Sequence, residues 1–286
     1  MWNARATLGE GPVWDDRTAC LYWVDIVQSQ LLIYDTMKPA ASTNMSITPY
    51  VSSIVPRQLG GIALTLQDGF YAYDLQRRKL TLLAGVEADA ADNRFNDGKC
   101  DPSGRYVAGT MSMSDQQASG ALYQLDTDLK VRRLIPDVSI SNGLAWTEDG
   151  STMYYIDTPT RQVMAYDYDL ATGAIRGGRA VIEFPEDQGF PDGMTIDTEG
   201  MLWIAHWGGW QVSRWNPTTG RKLSFIPVPA SQVTSCAFGG PNLDQLYITT
   251  AREGLDAQAL EKQPLAGGLF RASLDIKGRP TAFYRG

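Results

Sequence analysis

A short polar residue opens an apolar segment six times along this chain of 286 residues. These residues follow one another at steps of 43, 44, 45, 50 and 43 positions, and they are Glu10, Ser53, Asp97, Asn142, Asp192 and Ser235. Self-similarity with a period of roughly 40 to 50 residues is typical of proteins that repeat one supersecondary unit. The spacing therefore constrains the fold more than any other feature of the sequence.

Each repeat reads as a strand, a tight turn and a second strand. Glycine follows a polar residue at the turns, in the pairs Ser103-Gly104, Asp149-Gly150 and Glu199-Gly200. Such pairs supply the positive φ that tight turns need, and the flanking segments are rich in Tyr, Trp, Val and Ile. A third strand follows in most repeats, and a fourth would complete the unit. The sequence predicts an all-β, six-bladed β-propeller with four antiparallel strands per blade.

Repeat architectures of this length commonly form one domain, so we expect a single domain over residues 1–286. The polar stretch Met37–Thr48 fits an insertion between the first two units, and Asp256–Lys262 is the one convincing helical turn. We expect Met1–Ala6 to pair with the last blade and so close the ring.

Charge and hydropathy exclude several classes of function. A net charge of -7 and a pI near 4.8 argue against a nucleic-acid partner, because such domains carry basic patches. The apolar runs are too short to span a membrane, and the first residues lack the features of a signal peptide. We therefore expect a cytoplasmic protein without a membrane partner.

Three cysteines, Cys20, Cys100 and Cys236, lie within or beside predicted strands and at no metal-ligand spacing. An odd number of cysteines at such positions indicates buried free thiols. A catalytic cysteine would need a nearby base, and the chain has one histidine.

The six ring residues converge at one tunnel mouth, because the first strand of each propeller blade lines the tunnel. Glu10, Asp97 and Asp192 are acids, and Asn142 adds an amide. Crowded carboxylates raise one another's pKa, and a cation relieves the repulsion. Oxygen ligands suit Ca²⁺, Mg²⁺ or Mn²⁺, with Zn²⁺ and Fe²⁺ as alternatives. A single Asp or Asn here would be ordinary turn chemistry, but three acids favour a metal or polar-ligand site.

Seven short motifs run in order along almost the whole chain. They are LGEGPVW (Leu8–Trp14), RFNDGK (Arg94–Lys99), DPSGRY (Asp101–Tyr106), SNGLAW (Ser141–Trp146), PDGM (Pro191–Met194), CAFGG (Cys236–Gly240) and PLAGGLF (Pro264–Phe270). Together they resemble the SMP-30/gluconolactonase family, which includes regucalcins and bacterial sugar lactonases. The resemblance implies one divalent cation held by Glu10, Asn142 and Asp192, and substrate oxygens bound by Arg94 and Asn96.

Hydrolysis of a lactone needs a polarised carbonyl, a water nucleophile and stabilisation of the oxyanion, all of which an open-sided metal site serves. Asp192 is the candidate general base, although a carboxylate beside a cation is a weak base. Arg94 suits paired hydrogen bonds to substrate, and Asn96 both donates and accepts. Without the resemblance, we would interpret these two as a salt-bridging arginine and a turn asparagine. Asp97, which the ring pattern selects, is a further candidate substrate ligand.

Two segments depart from the family pattern. Animal members have an acidic residue after the Gly-Thr-Met segment, whereas here Gly109–Met111 precedes Ser112, Met113, Ser114 and Asp115. The aromatic and Gly-rich segment Ala205–Trp210 resembles bacterial pentonolactone hydrolases more than it resembles animal regucalcin. Trp207 could stack on a sugar ring, and His206, more often structural in such a position, is a candidate for substrate contact or proton transfer.

Three functions in different classes remain. The first is a metal-dependent lactonase acting on aldonolactones, the second a related esterase or phosphotriesterase, and the third a non-catalytic calcium-binding propeller. A more apolar pocket mouth would favour the second, whereas a substrate clamp of Arg94 and Asn96 disfavours the third. The sequence predicts neither the particular lactone, the native metal nor the oligomeric state.

Overall fold

The structure is a computed structural model that describes residues 2–114 and 116–286. Its strands form six antiparallel sheets, and their inner strands contact one another in a closed circle around a central tunnel. This arrangement confirms the predicted all-β, six-bladed propeller.

Five blades have four strands each. Blade 1 contains β1 (Gly9–Asp15), β2 (Cys20–Asp25), β3 (Gln30–Asp35) and β4 (Thr43–Ser46). Blade 2 contains β5 (Ser53–Pro56), β6 (Ile62–Leu66), β7 (Gly69–Asp74) and β8 (Lys79–Gly85). Blade 3 contains β9 (Asn93–Cys100), β10 (Tyr106–Ser112), β11 (Gly120–Leu125) and β12 (Val131–Val138). Blade 4 contains β13 (Ser141–Trp146), β14 (Thr152–Asp157), β15 (Gln162–Asp169) and β16 (Ala174–Glu183). Blade 5 contains β17 (Phe190–Ile196), β18 (Leu202–Trp207), β19 (Gln211–Asn216) and β20 (Arg221–Pro227).

Blade 6 is closed by the start of the chain. Its sheet has three strands, β21 (Val233–Gly239), β22 (Gln245–Thr250) and β23 (Leu269–Ser273). Trp2 pairs with Leu269 through two backbone hydrogen bonds of 3.1 and 2.8 Å, and the amide of Ala6 donates to the carbonyl of Gly267 at 2.8 Å. The predicted pairing with the last blade is thus confirmed for Trp2 and Ala6, whereas Met1 lies outside the described residues.

The core lies between blades. In the described part of the chain six hydrophobic clusters occur, one at each interface between neighbouring sheets. Strand β2 shows how one strand serves two interfaces: Tyr22 and Val24 pack towards blade 2, while Leu21 and Trp23 pack towards blade 6. This alternation follows from the two-residue period of a strand, and it makes each blade a double-sided apolar layer.

Helices are few in the described residues. The predicted turn is confirmed as α1 (Ala257–Lys262), whose Asp256 side chain caps it by accepting from the Ala259 amide at 2.8 Å. Single turns of 3₁₀ helix occur at Pro39–Ala41, Thr158–Thr160 and Glu186–Gln188. The interpretation of Met37–Thr48 as an insertion was wrong, because this segment holds β4, the outer strand of blade 1.

Two further predictions concern the cysteines and membranes. All three cysteines are free thiols; Cys100 and Cys236 are buried, but Cys20 is only half-buried. In the described residues, no helix combines the length and apolar character needed to cross a membrane.

Candidate active site at one mouth of the tunnel

The inner strands bulge where they carry the ring residues. The register of β1 with β2 shifts just after Glu10, that of β13 with β14 just after Asn142, and that of β17 with β18 across Asp192. A bulge places extra backbone on one strand and re-aims its side chains. The three side chains are thereby turned towards a common space at the start of their strands.

Glycine after a ring residue allows the inner strands to approach closely. A Cβ on Gly193 would lie 2.1 Å from the Ser235 hydroxyl oxygen of the next blade. A Cβ on Gly143 would lie 2.9 Å from the carbonyl oxygen of Asp192, also in the next blade. Because any larger residue would push the blades apart, these glycines fix the narrow ring that brings the polar side chains together.

A cavity of about 500 Å³ occupies this mouth of the tunnel. Its buried polar floor and wall are formed by Glu10, Arg94, Asn96, Asn142 and Asp192. Its remaining lining residues are Leu8, Met111, Ile140, Thr158, Pro159, Phe190, Trp207 and Glu253. The volume is in the range of small-molecule sites, roughly 300 to 1,000 Å³. The cavity therefore combines a polar floor with a largely apolar rim.

Glu10 and Asp192 are two buried carboxyl groups whose ionisation is coupled at the floor of the cavity. Burial, followed by the charge of Asp97, raises the pKa of Glu10 to about 8. Burial, followed by the charge of Glu10, raises the pKa of Asp192 well above its ordinary value. The two groups therefore favour sharing a proton when no cation is present to balance them.

The amide of Asn142 is oriented by Thr158. Asn142 Nδ2 donates to Thr158 Oγ1 at 2.8 Å, and Thr158 Oγ1 in turn donates to the carbonyl of Pro191 at 2.8 Å. Because the only hydroxyl hydrogen of Thr158 is used in this way, Thr158 must accept from Asn142. Asn142 Oδ1 is thus the end that faces Asn96, whose Nδ2 donates to it at 3.1 Å.

Arg94 and Asn96 are linked to each other and to the floor of the cavity. Arg94 NH1 donates to Asn96 Oδ1 at 2.8 Å and to the carbonyl of Phe95 at 2.9 Å. Asn96 Nδ2 also donates to the carbonyl of Ser141 at 2.9 Å. Burial lowers the pKa of Arg94, an effect opposed by the charges of Glu253 and Glu10. A cationic wall is therefore held in a fixed position beside the carboxylate pair.

The other three ring residues do not line the cavity. The Ser53 hydroxyl bonds with Thr65 Oγ1 and Tyr106 OH at 2.8 and 2.7 Å, and Ser235 is buried against blade 5. Asp97 Oδ1 accepts from the Gly98 amide at 2.8 Å, and burial raises the pKa of Asp97 while Lys99 opposes the rise. The expectation that all six face one space therefore holds for Glu10, Asn142 and Asp192 only. Asp97 acts on the site through its charge.

His206 and Trp207 are adjacent in β18 but differ in position. Trp207 lines the cavity. His206 is fully buried away from it, with Nδ1 2.8 Å from the carbonyl oxygen of Gln188 and its ring packed on Phe184 at 4.6 Å. Its Nε2 lies against the hydroxyl of Ser213 at 2.5 Å. The expected contact between His206 and a substrate is therefore not supported by its position. His206 instead links Gln188, in the segment before Phe190, to β18.

The segment after Met111 does not contribute an acid to the cavity in its described part. Met111 itself lines the cavity, whereas Ser114 Oγ donates to Asp92 and its amide donates to Ser112 Oγ at 3.1 Å. Asp115, the acidic residue that follows in this segment, lies outside the described residues.

Sequence reasoning missed the residues at the ends of second strands. Thr158 and Pro159 follow β14, and Glu253 follows β22. The second strand of a blade runs antiparallel to the first, so its end returns to the mouth where the first strand begins. The sequence feature that could have revealed these residues is their position just after a second strand rich in Tyr or Ile.

The floor of the cavity fits a hard divalent cation. Asp192 Oδ1 is buried and has no hydrogen-bond donor among residues 2–114 and 116–286. Two carboxylates and one amide oxygen are the donor types that Ca²⁺, Mg²⁺ and Mn²⁺ prefer. No group of three or more His, Cys, Asp or Glu side chains suited to a metal occurs in the described residues, so the amide of Asn142 is needed as the third ligand.

The fold and the site define a six-bladed propeller with a polar ligand site at one tunnel mouth. The family model described as SMP-30/Gluconolactonase/LRE-like region matches residues 8–252, and the chain belongs to this family. A Bacillus subtilis protein named "Putative sugar lactone lactonase YvrE" is 42% identical over 284 residues, covering 98% of this chain and 96% of that protein. Regucalcin of Homo sapiens is 41% identical over 284 residues, covering 97% and 95%. The solved structure of a calcium-binding protein, regucalcin, from Agrobacterium tumefaciens has a TM-score of 0.95 and 32% identity, covering 99% of this chain and 96% of that one.

Proposed function

We propose that this protein is a metal-dependent hydrolase that opens sugar lactones to aldonic acids. The observation that carries the proposal is the convergence of Glu10, Asn142 and Asp192 in a cavity that also presents Arg94 and Asn96. The family description and the name of the Bacillus subtilis relative support the same reaction. The proposal includes one domain over residues 1–286, a cytoplasmic location, and no nucleic-acid or membrane partner.

Glu10, Asn142 and Asp192 would hold one divalent cation, which is Ca²⁺, Zn²⁺, Mn²⁺, Mg²⁺ or Fe²⁺. When bound, such a cation polarises a lactone carbonyl, lowers the pKa of a water molecule and balances the oxyanion. The protein contributes the orientation of its ligands. Thr158 fixes the amide of Asn142, and the Gly11 amide donates to Glu10 Oε2 at 2.8 Å.

Asp192 is the proposed general base. One oxygen of its carboxylate would bind the cation, and the other would accept the proton of an attacking water. Positioning of that water contributes as much as basicity, because a carboxylate close to positive charge is a weak base. The proton then passes to the ring oxygen as the ester bond breaks.

Arg94, Asn96 and Trp207 are the proposed substrate contacts. The guanidinium of Arg94 is held by two acceptors on NH1, which places its charge on the cavity wall before substrate arrives. Asn96 Oδ1 retains a second lone pair for a sugar hydroxyl. Trp207 offers an aromatic surface for one face of the sugar ring. His206 acts by anchoring the segment at Gln188.

The test is lactone hydrolysis, followed by proton release, on a panel of C5 and C6 aldonolactones. Chelated protein is assayed before and after addition of each cation, with Asp192→Ala as the control. Restoration by one cation and loss in the variant would establish the reaction and name both metal and substrate. Tight Ca²⁺ binding with no hydrolysis of any lactone would instead support the non-catalytic calcium-binding alternative.

A related esterase is the second candidate, because the rim of the cavity is largely apolar. Its apolar members are Leu8, Met111, Ile140, Pro159, Phe190 and Trp207. Such a rim accepts an aryl or alkyl leaving group as well as a sugar. Phenyl acetate assayed beside the aldonolactones discriminates between the two, since a higher kcat/KM for the aryl ester would reverse the ranking.

A further inference from the structure

The lining of the cavity carries charge as well as hydrogen-bonding groups. Among residues 2–114 and 116–286, its charged members are Glu10, Arg94, Asp192 and Glu253. Three carboxylates and one guanidinium give this lining a net charge of -2 when all four groups are ionised. A bound divalent cation would bring the same lining to zero. The function proposed above gives a role to the first three residues but none to Glu253.

Two more charged residues, Asp97 and Lys99, belong to the inner strand β9 but do not line this cavity. Burial raises the pKa of Asp97 and lowers that of Lys99, and the charge of each opposes the shift of the other. As an oppositely charged pair, they add no net charge to the site. The charged residues of the lining therefore determine which charge an occupant of the cavity meets.

The backbone holds Glu253 at the opening of the cavity. The amides of Arg252 and Glu253 both donate to the carbonyl of Thr7, each at 2.9 Å. The carboxylate of Asp25 holds this segment in turn, because it accepts from the Thr7 amide at 2.7 Å and from the Leu8 amide at 3.1 Å. Glu253 is exposed to solvent and also lines the cavity, so it lies where a substrate enters and a product leaves.

The charge of Glu253 acts on Arg94 across the cavity. Burial lowers the pKa of Arg94, and the charge of Glu253 is the largest effect that opposes this fall, ahead of the charge of Glu10. Once a cation balances Glu10 and Asp192, Glu253 is the carboxylate of the described lining that remains to balance the guanidinium. A neutral residue in its place would leave the loaded cavity with one positive charge in excess.

Hydrolysis of a lactone changes the charge of the molecule in the cavity. An aldonolactone is neutral, whereas the aldonic acid that forms from it is an anion at neutral pH. A loaded cavity without net charge attracts this product little, but one with an excess positive charge would retain it. A carboxylate at the opening also repels a lactone that carries a carboxylate of its own.

We propose that Glu253 is a specificity-determining residue, which makes the cation-loaded site select neutral lactones and release the anionic acid. The proposal rests on the lactonase function proposed above. Glu253 acts through its charge at the opening of the cavity, so it discriminates between lactones by repulsion and not by shape.

The test compares D-glucono-1,4-lactone with D-glucaro-1,4-lactone, which has the same ring and a carboxylate in place of the terminal hydroxymethyl group. We expect the wild type to have the higher kcat/KM for the neutral lactone. In Glu253→Gln this preference should fall roughly three- to tenfold, the size expected for one charge partly screened by solvent. Glu253→Asp keeps the charge and should keep the preference.

A second measurement needs no turnover. In calorimetric titration of the Ca²⁺-loaded protein, Glu253→Gln should bind D-gluconate roughly three- to tenfold more tightly than the wild type, and Glu253→Asp should not. The matched control is Glu261→Gln, which makes the same substitution at an exposed position in α1, outside the cavity lining. It should behave like the wild type in both measurements.

The possible outcomes separate this proposal from the proposed function. An unchanged preference or an unchanged gluconate affinity in Glu253→Gln would overturn the role of Glu253 while lactone hydrolysis remains. An equal loss of kcat/KM for both lactones would also overturn it, because Glu253 would then act by holding Arg94 in place. Failure to hydrolyse any aldonolactone with any of the cations would refute the lactonase function itself, and this proposal with it.

Discussion

Asn142 and Thr158 are joined by a hydrogen bond of 2.8 Å in which Asn142 is the donor, because the Thr158 hydroxyl donates its only hydrogen to the carbonyl of Pro191. The bond connects blade 4 with the loop after its own second strand, and the Pro191 contact extends it to blade 5. Thr158 therefore orients the oxygen of Asn142 towards the site, although Thr158 itself forms no hydrogen bond with the Glu10 or Asp192 side chain.

Thr158→Val should weaken cation binding without removing a ligand. The valine keeps the shape of the side chain but cannot accept from Asn142 Nδ2, so the amide loses its orientation. Partners that orient ligands typically contribute about 10- to 100-fold to metal affinity, and we expect a loss of that size. Calorimetric titration with Ca²⁺ and Mn²⁺ measures it. Thr158→Ser retains the hydroxyl and should bind like the wild type; equal losses in both variants would contradict the role of the bond.

Glu10→Gln should stabilise the protein in chelator while abolishing the stabilising effect of a cation. The substitution removes one of two buried carboxyl groups with raised pKa values: burial and the charge of Asp97 raise the pKa of Glu10, and burial and the charge of Glu10 raise that of Asp192. A gain of about 1 kcal/mol corresponds to a rise in Tm of roughly 2 °C for a chain of this size. For the wild type, a cation at 100 times its Kd adds about 2.7 kcal/mol.

Thermal melting with chelator and with excess cation tests both halves of this prediction. The matched control is Glu261→Gln, at an exposed position in α1, which should behave like the wild type in both conditions. A Glu10→Gln variant that melts lower in chelator and is still stabilised by cation would remove Glu10 from the ligand set.

The stability of the fold should fall between pH 6.5 and pH 4 because of His206. Burial lowers the pKa of His206 from 6.5 to about 4, despite the bond to Gln188. In this window the unfolded chain binds a proton that the folded protein does not, so the free energy of unfolding decreases as the pH falls. The full contribution is present above pH 6.5, and roughly 3 kcal/mol is lost by pH 4.

Urea unfolding at several pH values measures this slope, and His206→Gln is the non-titrating comparison. The difference between the two slopes isolates His206 from the carboxyl groups that titrate nearby. Since the chain has one histidine, its imidazole resonance in an NMR titration reports the pKa directly. An imidazole that titrates near pH 6.5 in the folded protein would refute the prediction.

Trp207→Ala should raise the KM for an aldonolactone several-fold and change kcat little. Trp207 lines the cavity and is not one of the proposed cation ligands, so its loss removes binding surface common to ground and transition states. Steady-state kinetics on the best lactone of the panel provide the values. Trp210→Ala, at a residue that is 44% exposed and outside the cavity lining, should leave both constants unchanged. A fall in kcat alone for Trp207→Ala would point away from ring stacking.

The period of the ring residues was sufficient to predict the propeller, because each blade must bury two faces and the sequence repeats the same alternation. It was not sufficient to predict which ring residues reach the cavity. In β9 the register runs from Phe95 opposite Thr110 to Gly98 opposite Ala108, so both Asn96 and Asp97 lie in the bulge. Which of the two lines the cavity depends on backbone dihedral angles that a repeat does not encode.

His206 illustrates a second reason why a position predicted from the sequence differs from the position in the structure. A lone histidine beside a tryptophan looked like a candidate for substrate contact, but strand alternation sends neighbouring side chains to opposite faces. Trp207 therefore reaches the cavity and His206 enters the interface between blades. The Thr158 contact was missed for another reason: the return of a second strand to the mouth becomes evident only once the strands have been paired.

Removal of Met1–Ala6 should destabilise the propeller, because the described part of this segment completes blade 6. Trp2 forms both backbone bonds with Leu269 and packs its ring edgewise on Trp23 at 5.8 Å. Trp2→Ala alone should cost roughly 2 kcal/mol, about half the cost of truncating a fully buried Trp, and the deletion should cost more because the Ala6 bond is lost too. Thermal and urea unfolding measure both, with the exposed Trp210→Ala as the control for loss of an indole. Closure of the ring by the first residues would be refuted if the deletion left the melting temperature unchanged.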